Sequence, residues 1–479
     1  MNRNDFMNPI QPTSRLQEQL PKHLVERSRV LSDHDPSGEF VLYWLRTAQR
    51  AHDNPALDVA LAAADQLGLP VFVYHALSER YPHASDRHHT FILEGALDVQ
   101  GELKDRGIGT AFHLERPGHR GAHLVTLAQR AALVVTEDLP VPPLVQWTRR
   151  LHERVQTPVW VVDTACILPM MFVQEPVDRA FIFRKKYDAR RKKQLRAGWS
   201  DHPVKQPAFI PSDLPYEPVN LASQNTAELV AQCSIDHSVS PITATRGGTQ
   251  AGYARWEAFC SGGGLEHYAA RRNSPYVDSV SRLSAYLHYG MISPFRLADQ
   301  ARQMGGKGPE KWLDELLIWR ELAHAWCAFQ ADVHSMEVLP DWALKTLRAH
   351  QGDTRHATYT DEQLHQAQTG DRLWDACQRS LLRHGELHNN VRMTWGKQVV
   401  QWAASPEQAR RLLVELNNRY ALDGRDPNSY GGLYWCLGLF DRPFKPEQPI
   451  LGTVRGRSSA AHEQRIDIDA YEAWVDRLV

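Results

Sequence analysis

The strongest constraint on what this chain can fold into is a change of hydrophobic rhythm part-way along it. Up to about residue 165, short apolar runs alternate with amphipathic stretches; from about Gly252 the spacing turns helical almost without a break. Phe40-Val-Leu-Tyr-Trp-Leu45, Pro70-Val-Phe-Val-Tyr-His75, Ala131-Ala-Leu-Val-Val135 and Pro158-Val-Trp-Val-Val-Asp163 read as buried strands. Helices are predicted between them over 53–65, where Asn54 caps and Pro55 sits in the first turn, over 88–104, ended by Arg106-Gly-Ile-Gly109, and over 144–154. Strands alternating with helices specify a doubly wound parallel sheet. Residues 196–250 are rich in Pro, Ser, Gln and Asn and read as a surface connector. Helices are then predicted over 283–288, 294–303, 312–330, 361–368, 373–384, 391–404 and 406–420.

The expected fold is therefore α/β plus all-α. A parallel-sheet domain covers 38–165, a long connector 166–250, an all-helical domain 251–445, and a carboxy-terminal extension 446–479. The 479 residues would fill about three domains at ~150 each, and two large ones equally well. An apolar share of 42% is too high for a disordered chain. With 55 Lys+Arg against 56 Asp+Glu, an anionic partner must meet a local patch, not a global field. No apolar run approaches the roughly 20 residues of a bilayer span, and the Met1–Pro9 start is unlike a secretion signal. The six cysteines form no Cys-x-x-Cys pair, which argues against zinc, an iron–sulfur cluster or a disulfide scaffold. Reduced thiols, a cytoplasmic location and no metal are expected. The first strand–helix turn lacks a Gly-rich fingerprint, so an ordinary dinucleotide-binding domain is unsupported.

Several stretches could carry chemistry. In Ser281-Arg-Leu-Ser-Ala-Tyr-Leu-His, two hydroxyls and free helix-start N–H groups make an anion site or, more simply, a cap. Glu315 and Trp319 lie four apart on one helical face, a carboxylate beside an indole suited to gripping a flat heterocycle. The alternative is a core Trp and a Glu paired with Arg320 or Lys311. Arg392 sits mid-helix among apolar residues and needs an anionic partner; Asp423 and Asp426 follow in a turn. Trp374, Trp395 and Trp402 recur on helices that could bring them within stacking reach and pass an electron outward, or they simply fill a core. Basic residues cluster in Phe183-Arg-Lys-Lys-Tyr-Asp-Ala-Arg-Arg-Lys-Lys193 and recur at Arg410, Arg411, Arg442, Lys445, Arg455 and Arg457. They suit phosphates interleaved with base stacking, and equally a solvated face.

Trp374, His388 through Trp402, Leu416-Asn-Asn-Arg-Tyr420, Leu422-Asp-Gly-Arg-Asp-Pro-Asn428 and Trp435 resemble the flavin-binding domain of the photolyase/cryptochrome superfamily. Similarity is greatest to class II cyclobutane pyrimidine dimer photolyases. Glu315-Leu-Leu-Ile-Trp-Arg-Glu321, Leu283–Gly290 and, amino-terminally, Tyr43-Trp44 with Arg50–Leu57 support it, so the resemblance spans about residues 40–445. It implies a folded FAD held by Tyr268, Ser281, Leu283 and Ser284, with Asn417 facing flavin N5 and Arg392 paired with Asp423 beside the ring. It implies a photoreduction wire of Trp395, Trp374 and Trp402, and a pocket of Glu315, Trp319, Met393 and Trp435 for a flipped-out dimer. The implied activity is light-driven repair of cyclobutane pyrimidine dimers by electron transfer from excited reduced FAD, a deoxyribodipyrimidine photo-lyase. A cryptochrome-like blue-light photoreceptor and a photolyase for the (6-4) photoproduct are the alternatives. Ultraviolet-damaged DNA is the expected partner of a monomer with no membrane contact. A deazaflavin or folate antenna in the 38–165 domain is a further implication. Asn389-Asn390 stands where class II members have Gly after His388, Thr394 replaces a Tyr, and Leu439-Phe-Asp-Arg442 replaces His-Asp-Arg, which marks a divergent bacterial branch.

Overall fold

A computed structural model describes residues 14–32, 34–276 and 279–477. The start of the chain, where the absence of a secretion signal was read, lies outside the described residues. The amino-terminal half is a six-stranded sheet in the order β1-β6-β5-β2-β3-β4. The strands are β1 (Ser28–Val30), β2 (Phe40–Leu45), β3 (Val71–Leu77), β4 (Gly109–Leu114), β5 (Ala131–Glu137) and β6 (Val159–Val162). β2 to β6 run parallel, and β2, β5 and β6 are buried throughout, as a sheet covered on both faces requires. The expected helix 53–65 is Pro55–Leu67, with Asn54 Oδ1 accepting from Ala56 and Leu57 N–H at 3.1 and 3.2 Å.

Two strands escape the sequence pattern. β4 begins at Gly109, which reads as a helix stop; a side chain there would strike the Phe209 backbone, its Cβ 1.8 Å from the carbonyl oxygen. β1 lies in a polar stretch and pairs antiparallel with β6, Ser28 opposite Val162, so the sheet is not wholly parallel and the domain begins before residue 38. Leu16, Leu20 and Leu24 bury themselves beneath this edge and fix it without an apolar run in the strand.

The connector is more structured than its composition indicates. Its first part forms an 18-residue helix, Ala180–Ala197, and its later part shields the free edge of β4. There Val219 N–H donates to Phe112 O at 2.9 Å, and Tyr216 is buried against Tyr74.

The helical half contains the expected elements as Ser284–His288, Pro294–Met304, Asp361–His365, Arg372–His384, Asn389–Trp402 and Pro406–Tyr420. The predicted 312–330 helix is a composite: Lys307–Asp314 is α-helical, Glu315–Arg320 widens to a π-helix, and Glu321–Ala328 returns to α. Helix Thr249–Ser261 opens the helical half where the pattern turns helical, and helix Pro427–Trp435 follows the turn that holds Asp423 and Asp426. The 446–479 segment is no separate extension. Its helix Ile468–Asp476 buries Tyr471 and Val475 against Arg372–His384, and Glu472 pairs with Arg372 and Arg379.

Buried arginines join the halves. Arg87, on helix Asp86–Asp105, donates to Leu381 O (2.8 Å), Tyr420 O (2.7 Å) and Leu382 O (2.6 Å). These are last-turn carbonyls of Arg372–His384 and Pro406–Tyr420, where the helices' negative dipole ends favour a cation. Arg50 links Gly290 O at 2.8 Å to Thr164 O at 3.0 Å. Among the described residues no helix is long and apolar enough to cross a membrane, and all six cysteines are free.

Burial pushes the imidazoles of His75 and His88 down to about 3, and those of His89, His324, His388 and His462 to about 4. Unfolding restores each to near 6.5. Their stability contribution is thus complete above about pH 6.5 and lost as pH falls toward 4, while the unfolded chain takes up the protons. Burial raises Asp58 to about 7 and Glu321 to about 8, which opposes this trend with fewer groups. Scanning calorimetry should therefore show Tm falling steadily from pH 6.5 to 4; a constant Tm across that window would contradict the balance.

Candidate active site

Three neighbouring segments build the centre of the helical half. His388 caps helix Asn389–Trp402, its Nδ1 accepting from Asn390 N–H at 3.1 Å, and this helix carries Arg392, Met393 and Trp395. Ser405 and Pro406 open helix Pro406–Tyr420, which presents Asn417 near its end. A turn follows, with Arg425 held at φ +60° and Asp426 capping Pro427–Trp435, and it supplies Asp423. The buried Arg392 guanidinium donates to Asn417 Oδ1 at 2.6 Å and to Leu387 O at 3.3 Å, and lies 3.5 Å from both Asp423 oxygens. Asn417 Nδ2 donates to Ser429 Oγ at 3.3 Å, and Ser429 Oγ donates to Asp423 O at 2.9 Å. Residues 392, 417 and 423, far apart in sequence, form one polar cluster.

This cluster fits an anionic ligand. The contact to Asp423 is long for an ion pair, so the guanidinium is not saturated by it. Nearby, the buried Nε2 of His388 has no hydrogen-bond partner. After burial, the Arg282 cation is the next cause holding that imidazole neutral, with Arg272 and Arg392 adding to it. Ser281 Oγ receives Trp312 Nε1–H at 3.4 Å, Leu283 is buried, and Ser284 is exposed at the start of its short helix. Burial, then Glu315, raises Tyr268 to about 12, so its hydroxyl stays protonated.

Behind the cluster the indoles form an ordered series. Trp395 and Trp374 are fully buried and parallel, centroids 6.3 Å apart at 9°. Trp374 Nε1–H donates to Trp395 O at 3.0 Å, and Trp395 Nε1–H donates to Gln378 Oε1 at 3.1 Å. Trp402 meets Trp374 edge-on at 5.4 Å and is half-buried.

The π-helical segment builds a second platform. Trp319 stacks on Trp435 at 4.9 Å and 16°, and Met393 packs partly buried against the same core. Glu315 Oε1 is held by Lys311 Nζ at 2.8 Å and by Arg272, whereas its Oε2 has no partner among the described residues. The pairing expected with Lys311 forms; Arg320 instead donates to Ala165 O at 2.6 Å. Glu321 accepts from Ile167 N–H at 2.6 Å and Leu168 N–H at 3.3 Å, so the loop after β6 anchors the end of the π-segment.

Sequence reasoning missed Arg272, Lys397 and Arg425. Lys397 is buried and donates to Cys436 O at 2.8 Å and Trp435 O at 3.4 Å, fixing the end of the helix that carries Trp435. A lysine two residues beyond Trp395 in an apolar helix was the available signal. Arg425 lines a separate cleft of about 440 Å³ between the carboxyl ends of β2–β4 and the helical half, with Arg46, Tyr74, His113, Trp147 and Tyr289. Such crevices, beside the point where strand order reverses, are the usual ligand sites of open α/β sheets.

The chain is 31% identical to the deoxyribodipyrimidine photo-lyase of Methanothermobacter thermautotrophicus over 455 residues, covering 95% of this chain and 98% of that one. It belongs to the DNA photolyase family. The family model for DNA photolyase matches residues 41–208. The deoxyribodipyrimidine photo-lyase of Potorous tridactylus is 30% identical, covering 93% of this chain and 84% of that one. The fold is shared with the Synechocystis cryptochrome (TM-score 0.66, 18% identity, 92% and 89% covered). It is shared also with a class III photolyase of Agrobacterium tumefaciens (TM-score 0.67, 17% identity, 91% and 86% covered).

Two departures noted in this photolyase have structural partners. Thr394 Oγ1 lies 2.6 Å from His462 Nδ1, and Arg457 bonds both Asn390 Oδ1 and His462 Nε2. Asn390 Nδ2 donates to Asn273 O at 2.7 Å. The carboxy-terminal segment thus engages the unusual residues at 390 and 394. Thr394→Val leaves a buried imidazole nitrogen unpaired and should cost about 1–3 kcal/mol in denaturant-induced unfolding; an unchanged midpoint would show the bond contributes nothing.

Proposed function

We propose that this photolyase repairs cyclobutane pyrimidine dimers in DNA with light, holding FAD at the Arg392 cluster, and that it is of the class II kind. The observation that carries the reading is the placement of Arg392, Asn417 and Asp423 in one cluster, with Trp395, on the same helix as Arg392, stacked on Trp374 of the preceding helix. Bound reduced flavin supplies, when illuminated, the one electron that opens the cyclobutane ring and afterwards returns, so no net oxidation occurs. The protein's residues make that transfer productive. The Arg392 cation would favour a negatively charged ring, with the Asn417 amide it holds placed to bind beside it. Tyr268, Ser281, Leu283 and Ser284 would hold the rest of the ligand, near Arg272 and Arg282, whose charges are paired with Glu315 and Glu386. Trp395, Trp374 and Trp402 pass electrons from solvent to an oxidised ligand.

Trp319 and Trp435 receive the bases, and Met393 closes the pocket beside them. A dimer stacks and pairs poorly, so its removal from the duplex costs less than that of intact bases. Glu315, held by Lys311 and Arg272 through one oxygen, turns the other toward the lesion, where a fixed hydrogen bond stabilises the charge that develops during ring opening. The cleft at the sheet edge suits an anionic aromatic antenna, a deazaflavin or folate: Arg46, Arg80, Arg150, Arg154 and Arg425 line it against a single acid, Glu115. A photolyase of Sulfolobus tokodaii with this fold holds two FAD molecules.

Illumination of the purified protein with ultraviolet-damaged oligothymidine should restore absorbance at the thymine band; a flavin-loaded protein that leaves the lesion intact would be a light sensor instead. Glu315→Ala should lower repair per photon roughly tenfold or more while flavin absorbance stays intact; loss of both would refute the role. Trp374→Phe should block photoreduction of oxidised flavin yet spare repair by chemically reduced protein. Normal photoreduction in that variant would remove Trp374 from the series.

A further inference from the structure

We propose that the outward face of helix Ala180–Ala197 is a docking surface for the DNA duplex flanking the lesion; this rests on the repair reading above. The helix has two sides. Phe183, Tyr187 and Arg191 recur every four residues and are buried against the protein. Opposite them run Phe181, Lys185, Ala189, Lys192 and Arg196, with Lys193 alongside, all exposed.

Some of this charge is internally cancelled. Arg184 pairs with Asp314, Lys186 with Glu175, and Arg191 and Lys192 with Asp188. Lys185, Lys193 and Arg196 have no ion pair among the described residues. Because the whole chain carries a net charge of only −1, this stripe is a local feature. From Lys185 to Arg196 the helix extends ~16 Å, about five base-pair steps of the duplex axis at ~3.4 Å each.

The stripe is also placed correctly. Arg184, one residue before Lys185, pairs with Asp314, and Lys311 bonds both Asp314 and Glu315. The amino-terminal end of the helix therefore adjoins the Glu315–Trp319 pocket. That end exposes Phe181 (64%) and Ile182 (40%), with Met171 (43%) on the preceding turn, among the most exposed large apolar side chains of the protein. Apolar side chains suit the unstacked base edges left where a dinucleotide has been flipped out, and cations suit the intact duplex beyond.

The experiment measures binding of an ultraviolet-damaged duplex by fluorescence anisotropy across a salt series, for the wild type and for Lys185→Gln/Lys193→Gln/Arg196→Gln. In the variant, affinity at physiological salt should fall about tenfold or more, and the slope of log K against log salt should become shallower by about 2–3, close to one per lost phosphate contact. Phe181→Ser should weaken binding without altering the slope. Repair of an isolated thymine dinucleotide dimer, which has no flanking duplex, reads the pocket alone and should match the wild type. Unchanged affinity and slope in the triple variant would make the stripe an ordinary solvated face and overturn the proposal. A wild type that fails to repair the dinucleotide as well as the duplex would instead overturn the repair reading on which it rests.

Discussion

A buried guanidinium organises the helical half of this photolyase. Arg392 cannot be removed from water without partners, because an uncompensated interior charge destabilises by several kcal/mol. Its partners arrive from outside its own helix: Asn417 from the next helix, Asp423 from the turn after that, and the Leu387 carbonyl from the turn before. Satisfying one cation therefore fixes the register of three segments. The same register brings Trp395 against Trp374 and sets the helix that ends at Trp435.

Arginine acts similarly at the border between the halves. Arg87 extends from the sheet domain to carbonyls in the last turns of two helices, and Arg50 to the loop carbonyls of Gly290 and Thr164. Arg27 donates to Cys166 O and Ile167 O at 2.6 and 2.7 Å, beside Asp163. The Ile167 and Leu168 N–H groups of the same loop donate to Glu321. In this way the exit from β6 is tied to the π-segment that presents Glu315 and Trp319. The sheet domain thus does more than border a second cleft; through the loop after β6 it anchors the helical segment that carries Glu315 and Trp319.

Much of this was legible because it depends on local pattern. The strands at 40–45 and 131–135, the Asn54 cap and the Pro406 helix start follow from side-chain periodicity and backbone stereochemistry, which act over a few residues. β1 and β4 were not legible. One has no apolar run and the other opens on a glycine, and both are stabilised by distant chain, Leu16 to Leu24 for β1 and the Phe209 to Val219 stretch for β4. The π-segment was hidden for a related reason: one extra residue in a turn barely alters a hydrophobic pattern, while its end is held by bonds to residues some 150 positions away.

By itself, the sequence determined the division into a sheet half and a helical half, the family, and the set of polar and aromatic residues that have no comfortable place in an ordinary core. Only the tertiary structure decided which of those residues meet. It placed Glu315 with Arg272 and Lys311 and left Arg320 to the loop after β6; it folded the last helix back onto the Trp374 helix, and it paired Thr394 with His462. The physical reason is range. Periodicity, capping and turn preference are settled within about one helical turn, whereas a buried charge or an unsatisfied carbonyl accepts whichever partner the packed chain brings within about 3 Å.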